Sequence, residues 1–380
     1  MNANPINNTT IESVQIDVIR RPVSDDIRTV FGITKDEMNA GIVRMRDNHG
    51  VEGHCTISSF WGTCDPSEII SIIVTQLKPY LIGRSTDCRE WFWSQHLYLQ
   101  SRLRSTWTAY APIDIALWDL AGKQAGKPVV DLIGRAREEV RAYLSFATPT
   151  PKITAYEQEI EQTIDRGFDA YKLHPERLLA PDVTRIVDRV RELAGCNVDL
   201  MLDPNCGYDL STALEVGAAL DANAFRWFED PVRHFDFDAI KILSRRLSTP
   251  LSMCDQIPDQ FHESARYIRD RTVIAPRGSA RVLGITGLRK LTSMTEAFGM
   301  KCEIGLAGSP LMNLANAHVL QSVSYDSLYE HFDYDPLQSA VLNGYIHPAQ
   351  GYVSVPDQPG LGHDLDKDWI DCHRVAIVDT

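Results

Sequence analysis

Three short apolar runs in the middle of the chain each stop on a carboxylate, and this repeat limits the possible folds more than any other feature. The runs are VDLML, FRWF and PLSMC, and the acids that follow them are Asp203, Glu229 and Asp255, so that both intervals are 26 residues. Each interval contains a segment with helical periodicity, such as LSTALEVGAALDA after Asp203. Short apolar runs that alternate with helical segments are typical of βα units. The pattern therefore predicts three consecutive units of a parallel α/β fold.

The three acids fall at the same position of their units, and this placement predicts a cation site. In a parallel barrel the carboxyl ends of the strands meet at one mouth, where catalytic groups collect. Three carboxylates would repel one another there unless a cation neutralised them. A set of oxygens without cysteine or paired histidine suits a hard ion, with Mg²⁺ as the first choice. Alternatively, each acid only caps the helix that follows it. Capping explains any one of the acids, but not all three at equal spacing.

Composition narrows the class of protein. The 380 residues are 44% hydrophobic and 23% charged, which is typical of a globular chain large enough for a barrel and a second domain. A net charge of −13 argues against nucleic acid or an anionic membrane as a partner. The start, MNANPINNTT, lacks the features of a signal peptide, and no run approaches ~20 apolar residues, so we expect a cytoplasmic protein. Eight cysteines without a C-x-x-C pair indicate reduced thiols.

The hydrophobic pattern divides the chain into three parts. Residues 1–138 combine the alternating runs SVQIDVIR and AGIVRMRD with two helical patterns, PSEIISIIVTQLKPYLIG and WTAYAPIDIALWDLAGKQAG, and they predict an α+β domain. Residues 139–350 contain eight strand-like runs, from RAYLSFA to DSLYEHF, and they predict the barrel. Residues 351–380 are rich in turns and return to β-like alternation, so we expect this segment to pack back on the first domain.

Six motifs, in this order and at these spacings, resemble the enolase superfamily. They are DIALWDLAGKQAGKPVVDLIG, GFDAYKLH, LDPN, WFEDPV, GITG and VPDQPGLG. The resemblance covers nearly the whole chain and is strongest to the mandelate racemase and muconate lactonizing enzyme-like members, in particular the sugar-acid dehydratase branch. It implies an N-terminal α+β capping domain on a modified TIM barrel, (β/α)7β, with one Mg²⁺ per active site on Asp203, Glu229 and Asp255. We also assign Asn205, in the LDPN motif, to substrate binding, and we expect a homo-oligomer that takes a small-molecule carboxylate substrate.

The chemistry that the resemblance implies begins with removal of the proton next to a carboxylate, which gives an enediolate stabilised by the ion. Such a proton is weakly acidic, so a preorganised divalent ion must meet the new charge before a side chain can take the proton. The family places Lys-x-Lys at the end of the second barrel strand, and this chain has Lys172 and His174 there. Both residues lie on one face of a strand. An imidazole is a suitable base at neutral pH, so we predict His174 as the base with Lys172 assisting. Alternatively, His174 is a loop residue held rigid by Pro175.

The chain departs from the family on the sixth and seventh barrel strands. Racemases and many dehydratases of the branch have an Asp and a His there, whereas this chain has Arg277 or Gly278 and then Gly305. Arg277 could hold a substrate carboxylate with two parallel hydrogen bonds, or it could pair with Glu303 on the seventh strand. Either way, the Asp-His pair of those enzymes is absent from the sequence.

The eighth strand supplies a further acid. Glu330 matches the position of a carboxylic acid that hydrogen-bonds the substrate carboxylate in racemase-like members, and His331 follows it on the opposite face. We therefore include Lys172, His174, Arg277, Glu303 and Glu330 among the catalytic candidates, with Arg277 also as a substrate-binding residue.

Loss of the Asp-His pair favours one reaction class. Racemisation needs a base on each side of the carbon, whereas elimination of water can proceed with one acid/base group. We therefore predict a Mg²⁺-dependent lyase that dehydrates a hydroxy-carboxylate, with acid sugars as the favoured class. Alternatives are an isomerase, either a cycloisomerase or an epimerase, and a non-catalytic protein that binds a sugar acid. The stretches 21–34 and 56–64 of the capping domain are expected to set specificity.

Overall fold

A computed structural model describes residues 9–23, 35–57, 66–103, 107–146, 150–255, 257, 259–333, 337–343 and 346–379. Of the two stretches that we expect to set specificity, 24–34 and 58–64 lie outside the described residues. Within the described part, no helix has both the length and the apolar character that are needed to cross a membrane.

The N-terminal part begins with an antiparallel sheet. Its strands are β1 (Ile11–Pro22), β2 (Glu37–Asp47) and β3 (Glu52–Ile57). Strand β1 pairs with β2 from Pro22↔Glu37 to Ile11↔Asp47, and β2 pairs with β3 from Gly41↔Ile57 to Arg46↔Glu52. The helices that follow are α1 (Ser67–Ile72), α2 (Lys78–Leu81), α3 (Arg89–Leu103), α4 (Trp107–Ala125) and α5 (Val129–Ile133). The meander and the two helical regions therefore agree with the pattern of the sequence.

The first of the two helical patterns is not one continuous helix. A π-helical turn, Ile73–Leu77, separates α1 from α2. Pro79 follows this turn, and it has no N–H to donate to a carbonyl four residues earlier. The wider turn thus lies where the regular α-helical ladder loses a hydrogen bond.

The second part is a closed parallel barrel. Its strands are β4 (Val140–Ser145), β5 (Ala170–Leu173), β6 (Asp199–Leu202), β7 (Trp227–Glu229), β8 (Leu251–Met253), β9 (Ala275–Gly278), β10 (Glu303–Ile304) and β11 (Tyr329–His331). Each strand pairs in parallel with the next, and β11 pairs with β4 to close the ring. The connecting helices are α6 (Ile153–Asp165), α7 (Ala180–Ala194), α8 (Leu210–Ala222), α9 (Phe237–Arg246), α10 (Gln260–Asp270), α11 (Ala280–Ala297) and α12 (Pro310–Gln321). This is the (β/α)7β barrel with an N-terminal capping domain, and the predicted fold class is confirmed.

The C-terminal segment bonds to both sheets. It contains β13 (Tyr352–Val353), β14 (Asp364–Leu365), α13 (Lys367–His373) and β15 (Arg374–Val378), and the short strand β12 (Val341–Asn343) precedes it. Strand β13 pairs antiparallel with β4 of the barrel. Strand β15 pairs antiparallel with β1, from Ile16↔Val378 to Ile19↔Arg374. The segment therefore connects the barrel to the edge of the N-terminal sheet.

Helix α4 joins the two parts through buried hydrogen bonds. The carboxylate of Asp114 accepts from the amide of Thr286 at 2.9 Å and from the hydroxyl of Tyr110 at 2.9 Å. Trp118 donates its ring N–H to Thr286 Oγ1 at 2.9 Å. These bonds place α4 against α11, the helix that follows the sixth barrel strand.

Candidate active site

The three strand-end acids all lie at the carboxyl end of the barrel. Asp203 follows β6, Glu229 ends β7, and Asp255 comes two residues after β8. All three side chains are buried, with Glu229 at 0% exposure. The helices that follow these strands are capped by other residues, namely Asp209, Asp236 and Asp259. Capping therefore does not explain why the three acids stand where they do.

Two cations lie among these acids. The Lys172 ammonium is 3.0 Å from Glu229 Oε2, 2.9 Å from Glu330 Oε1 and 3.7 Å from Asp203 Oδ2. The Arg277 guanidinium is 2.8 Å from Glu229 Oε1 through Nε and 2.8 Å from Glu330 Oε2 through Nη2. Lys172 ends in the mouth from β5 and Arg277 reaches it from β9, four strands away around the barrel. The two cations thus bridge the acids from opposite sides.

Even so, the mouth is rich in negative charge. Among the described residues, Asp203, Glu229, Asp255 and Glu330 meet Lys172 and Arg277 there, and the buried Arg281 guanidinium also interacts with Asp255 and Glu330. Burial, with the charges of Asp203 and Glu330, raises the pKa of Glu229 well above its ordinary value although Arg277 and Lys172 oppose this. A divalent cation would reduce the repulsion among these acids, and carboxylate oxygens are the ligands that Mg²⁺ prefers. The donor chemistry therefore fits such an ion.

The three carboxylates do not converge tightly by themselves. Within the described part, one group of three metal-ligating side chains has donor atoms all within 4.8 Å of one another, and that group is elsewhere in the molecule. Asp203, Glu229 and Asp255 are therefore farther apart than this. Like charges repel, and the ammonium and guanidinium groups occupy part of the space between them.

His174 lies in the mouth with one ring nitrogen held and the other facing the acids. Its Nδ1 is 2.9 Å from the carbonyl oxygen of Phe146, and its Nε2 is 3.4 Å from Asp203 Oδ2. Because a carbonyl only accepts hydrogen bonds, Nδ1 carries the hydrogen in the neutral ring and Nε2 bears the free lone pair. The side chain is buried one residue after the end of β5. A general base must lie within hydrogen-bond reach of the proton that it takes, and the mouth is where a substrate would bind.

Lys172 is held as a fixed charge. Burial opposes ionisation, but the carboxylates of Glu229 and Glu330 raise the pKa of Lys172 well above its ordinary value. For Glu330, burial again acts against ionisation, and Lys172 and Arg277 lower its pKa below the ordinary range. Glu330 Oε2 also accepts from the amide of Leu306 at 3.0 Å. The lysine and this glutamate are therefore a buried ion pair at the mouth.

The geometry explains why the seventh-strand histidine of related enzymes has no counterpart here. A Cβ atom built on Gly305 would lie 2.3 Å from Asp255 Oδ1 and 2.8 Å from Arg277 Nη2. On the sixth strand, a Cβ on Gly278 would meet Leu291 and Leu288 of α11, so position 278 faces outward and position 277 faces the barrel interior. A side chain at position 305 would therefore overlap Asp255 and Arg277.

Glu303 is not brought together with the other candidates. Its Oε2 accepts from the amide of Leu328 at 3.1 Å and from Ser327 Oγ at 3.2 Å, just before β11 begins. Among the described residues, the ion pairs of Arg277 run to Glu229, Glu330 and Asp255. The charge of Arg277 also acts on Glu303, where it opposes the burial that raises the pKa of this acid, but the described residues show no direct ion pair between the two.

His331 points away from the mouth. Its Nε2 is 3.1 Å from Asp333 Oδ1. Its ring stacks on Phe168 with ring centroids 6.3 Å apart. The neighbouring Glu330 faces the barrel interior instead, as expected for successive residues of a strand.

Asn205 supports Asp203 and introduces an acid that the sequence reasoning missed. The Asn205 amide N–H donates to Asp203 Oδ1 at 2.7 Å, and its side-chain nitrogen donates to Glu176 Oε1 at 2.7 Å. The backbone of Asn205 has φ of 50°, a conformation that Asn tolerates better than most residues. Burial raises the pKa of Glu176. Glu176 lies two residues after His174, and this spacing was the available signal.

Asp230 is a second missed residue, and it positions the third acid. Its carboxylate accepts from the amides of Cys254 at 3.0 Å and Asp255 at 3.1 Å. Burial and the nearby charges of Asp203 and Asp255 raise the pKa of Asp230 to about 7. The acid next to Glu229 in WFEDPV was the signal for this role.

Comparison with known protein families shows which family the chain belongs to. Residues 13–134 match the N-terminal domain of the mandelate racemase and muconate lactonizing enzymes, and residues 155–369 match the enolase C-terminal domain-like family. The chain belongs to the mandelate racemase and muconate lactonizing enzyme family of the enolase superfamily. These matches confirm the expected family. Dehydratases of sugar acids are among the similar proteins, as the resemblance implied.

Relatives of known activity cover nearly the whole chain but catalyse different reactions. Arabinonate dehydratase of Saccharolobus solfataricus is 24% identical over 90% of this chain and 92% of its own length. D-galactarolactone cycloisomerase of Agrobacterium fabrum is 26% identical over 81% of this chain and 86% of its own. N-succinyl-L-Arg/Lys racemase of Bacillus cereus is 27% identical over 94% of this chain and 96% of its own length. These relatives support an enzyme of the superfamily without deciding between lyase and isomerase.

Solved structures agree with the fold. D-glucarate dehydratase from Agrobacterium tumefaciens, in complex with magnesium, superposes with a TM-score of 0.84 at 27% identity over 97% of this chain and all of its own. A racemase from Streptomyces coelicolor with bound magnesium gives a TM-score of 0.84 at 21% identity over 96% of this chain. Both of these proteins were solved with magnesium bound.

Proposed function

We propose that this protein is a Mg²⁺-dependent lyase that removes the α-proton of a hydroxy-carboxylate, with acid sugars as the favoured class, and eliminates water. The observation that carries the proposal is the one-sided placement of basic groups. Lys172 lies on β5 and His174 directly follows this strand, whereas Gly305 and the ion-paired Arg277 occupy the far side of the mouth. A reaction that needs a base on both faces of the carbon is disfavoured by this arrangement.

The residues of the chain supply most steps of the proposed reaction. Asp203, Glu229 and Asp255 would hold the ion, and a bound Mg²⁺ would supply charge stabilisation for the developing enediolate. The free Nε2 of His174 takes the α-proton, while the carbonyl of Phe146 keeps the ring oriented. The fixed charge of Lys172 stabilises the negative charge that the substrate acquires.

Elimination then uses the same group in the reverse direction. The enediolate expels the hydroxide from the neighbouring carbon, and the protonated His174 returns its proton to it, so that water leaves and an enol remains. Tautomerisation of the enol gives a 2-keto acid. The proton count balances with one acid/base group, which is what the site offers.

A cycloisomerase is the second candidate, because it also needs a base on only one face. The relative from Agrobacterium fabrum is named for such a reaction. Racemisation and epimerisation rank lower, because among the described residues the side of the mouth that faces His174 carries Gly305 and the ion-paired Arg277 rather than a second base.

The test is incubation of the magnesium-loaded protein in D₂O with a panel of aldonic and aldaric acids and their lactones. We expect a 2-keto product from at least one acid, measured as its semicarbazone and by ¹H NMR, without deuterium in the remaining substrate. The variant His174→Asn should lose this activity, whereas Asp209→Asn, which keeps a helix cap, should retain it. Ring opening without loss of water would establish the cycloisomerase, and turnover of no acid would leave a binding protein.

A further inference from the structure

A second cluster of metal-ligating side chains lies far from the barrel mouth. His54 belongs to β3, Asp119 to α4, and His363 to the C-terminal segment just before β14. Each offers one donor atom, and these atoms all lie within 4.8 Å of one another. His54 Nδ1 is 3.1 Å from His363 Nε2 and 4.0 Å from Asp119 Oδ2. Two ligands of a tetrahedral Zn²⁺ with bonds of ~2.0 Å stand about 3.3 Å apart, close to the separation of the two ring nitrogens.

A protein cation already occupies part of this cluster. The Lys123 ammonium donates to Asp119 Oδ2 at 2.7 Å and to the carbonyl of Glu52 at 3.0 Å, and it is 3.1 Å from His54 Nδ1. The cluster therefore attracts positive charge. The Lys123 side chain is 21% exposed and lines a cavity of about 500 Å³, together with His54, His363 and Glu52. The lysine has room to leave, and an ion has a route to enter.

His363 contains a buried polar atom that the hydrogen-bond network does not satisfy. Its side chain is 0% exposed, and its Nδ1 has no hydrogen-bond partner among the described residues. The nearest anionic atom is Asp119 Oδ1, at 3.9 Å. A buried polar atom without a partner destabilises the fold by roughly 1–3 kcal/mol. An ion bound to the other ring nitrogen, Nε2, would fix the ring hydrogen on Nδ1, from which it could be donated to Asp119 Oδ1 after a small approach of the two groups.

We propose that His54, Asp119 and His363 bind one Zn²⁺ ion, with water from the cavity as the fourth ligand. Imidazole nitrogens together with one carboxylate are a donor set typical of zinc, whereas the three ligands proposed at the barrel mouth are all carboxylates. The two proposed metal sites thus differ in their donor atoms and favour different ions. On zinc binding, Lys123 moves into the cavity beside the acidic groups of Glu52 and Asp364.

The proposed ion would cross-link segments of the chain that are remote in sequence. His54 and His363 are 309 residues apart, and Asp119 lies on the helix between the N-terminal sheet and the barrel. The expected role is structural, because a ligand that binds only the folded state stabilises that state by mass action.

Zinc titration of the intact, chelator-treated protein tests the proposal, with excess Mg²⁺ present to occupy the barrel mouth. Calorimetry and metal analysis after gel filtration should give one tightly held Zn²⁺ per chain. His54→Gln and His363→Gln should each weaken zinc binding at least tenfold. The surface variant His262→Gln and the barrel variant Asp203→Asn should retain it. Unchanged zinc binding in both cluster variants, or no stoichiometric binding by the unmodified protein, would overturn the proposal.

A further variant separates zinc ligation from an ordinary hydrogen-bond network. Lys123→Met removes the cation that competes with the ion, so we expect zinc affinity to rise about tenfold. A hydrogen-bond network with no metal role would give no such gain. Melting temperatures measured without zinc establish that each variant is folded before its affinity is compared. Equal or weaker zinc binding by folded Lys123→Met would contradict the displacement of the lysine and with it the site.

Discussion

Arg277 and Gly305 together occupy the side of the mouth that faces Lys172 and His174. The Nε and Nη2 atoms of Arg277 each pair with a different carboxylate, those of Glu229 and Glu330. Its Nη2 also donates to the hydroxyl of Tyr143 at 3.2 Å. A guanidinium cannot act as a base at any working pH. Its role at this scale is to hold two acids in place.

Arg277→Lys keeps the positive charge but removes the planar guanidinium, whose two nitrogens pair with two different acids. One of the two acids should therefore lose its partner. We expect the free energy of unfolding to fall by about 2 kcal/mol, and by roughly 3–5 kcal/mol in Arg277→Met, where both acids are left with buried charge. Urea denaturation measures both. Arg269→Met, on an exposed arginine, is the control and should change little. No loss of stability in Arg277→Lys would show that the planar donor geometry of the guanidinium has no part in the stability, and equal losses in both variants would show that the retained charge contributes nothing.

Gly305→Ala should weaken Mg²⁺ binding with little effect on the fold. The added Cβ overlaps Asp255 Oδ1, and turning this carboxylate aside removes one of the proposed ligands. We expect an affinity loss of about tenfold, which is ~1.4 kcal/mol. Calorimetry measures it, with Gly41→Ala in the N-terminal sheet as control, since a Cβ there comes no nearer than 3.3 Å to Ile16. Full affinity in Gly305→Ala would remove Asp255 from the set of ligands.

At the scale of elements, α4 and α11 meet where the α11 backbone departs from helical geometry. Gly284 has φ of 58°, and a Cβ there would lie 2.4 Å from Asp114 Oδ2. Only glycine adopts this conformation without strain and leaves room for the carboxylate. The GITG motif therefore has a structural role in joining the capping domain to the barrel.

A pair of glycine variants separates strain from overlap. Gly299 has φ of 66°, and a Cβ there would meet nothing within 4 Å. Gly299→Ala should lower the free energy of unfolding by about 1–2 kcal/mol through backbone strain alone. Gly284→Ala should lower it by a further ~1–3 kcal/mol because of the overlap with Asp114. Urea denaturation of both variants would contradict this account if the losses were the same.

His318 connects α12 to the start of α5 and to the C-terminal segment, and it gives a pH dependence. Its Nδ1 accepts from the amide of Val130 at 3.0 Å, and its Nε2 is 3.2 Å from the carbonyl of Leu361. Burial lowers the pKa of His318 to about 4, whereas an unfolded histidine titrates near ~6.5. Between these values the unfolded chain binds a proton that the folded chain does not, so stability falls as pH decreases from about 6.5 to about 4.

The expected contribution of His318 is about 3 kcal/mol over that interval. Free energies of unfolding at pH 7, 6 and 5 should therefore fall less steeply in His318→Gln, by up to ~1.4 kcal/mol per pH unit. His262→Gln, on a surface histidine, should keep the slope of the unmodified protein. Identical slopes in His318→Gln and the unmodified protein would exclude a neutral buried imidazole at this position.

At the scale of the whole molecule, the sequence predicted what local pattern and spacing encode. The equal intervals between Asp203, Glu229 and Asp255 follow from βα units of equal length, so both the barrel and the position of the acids could be predicted. The roles of Arg277 and Gly305 could not, because they depend on which residues face inward and how much volume each leaves. The pairing of His54 with His363 depends on contacts across 309 residues, for which no sequence pattern exists.

The central claim is that three strand-end acids hold a divalent ion for proton abstraction, and Mg²⁺ calorimetry on chelator-treated protein tests it without knowledge of the substrate. We expect one Mg²⁺ per chain, and an affinity at least tenfold weaker in Asp203→Asn, since one anionic ligand is lost. Asp209→Asn makes the same change at the cap of the next helix and should bind magnesium like the unmodified protein. If Asp203→Asn bound magnesium as tightly as the unmodified protein, the account of this site would be contradicted.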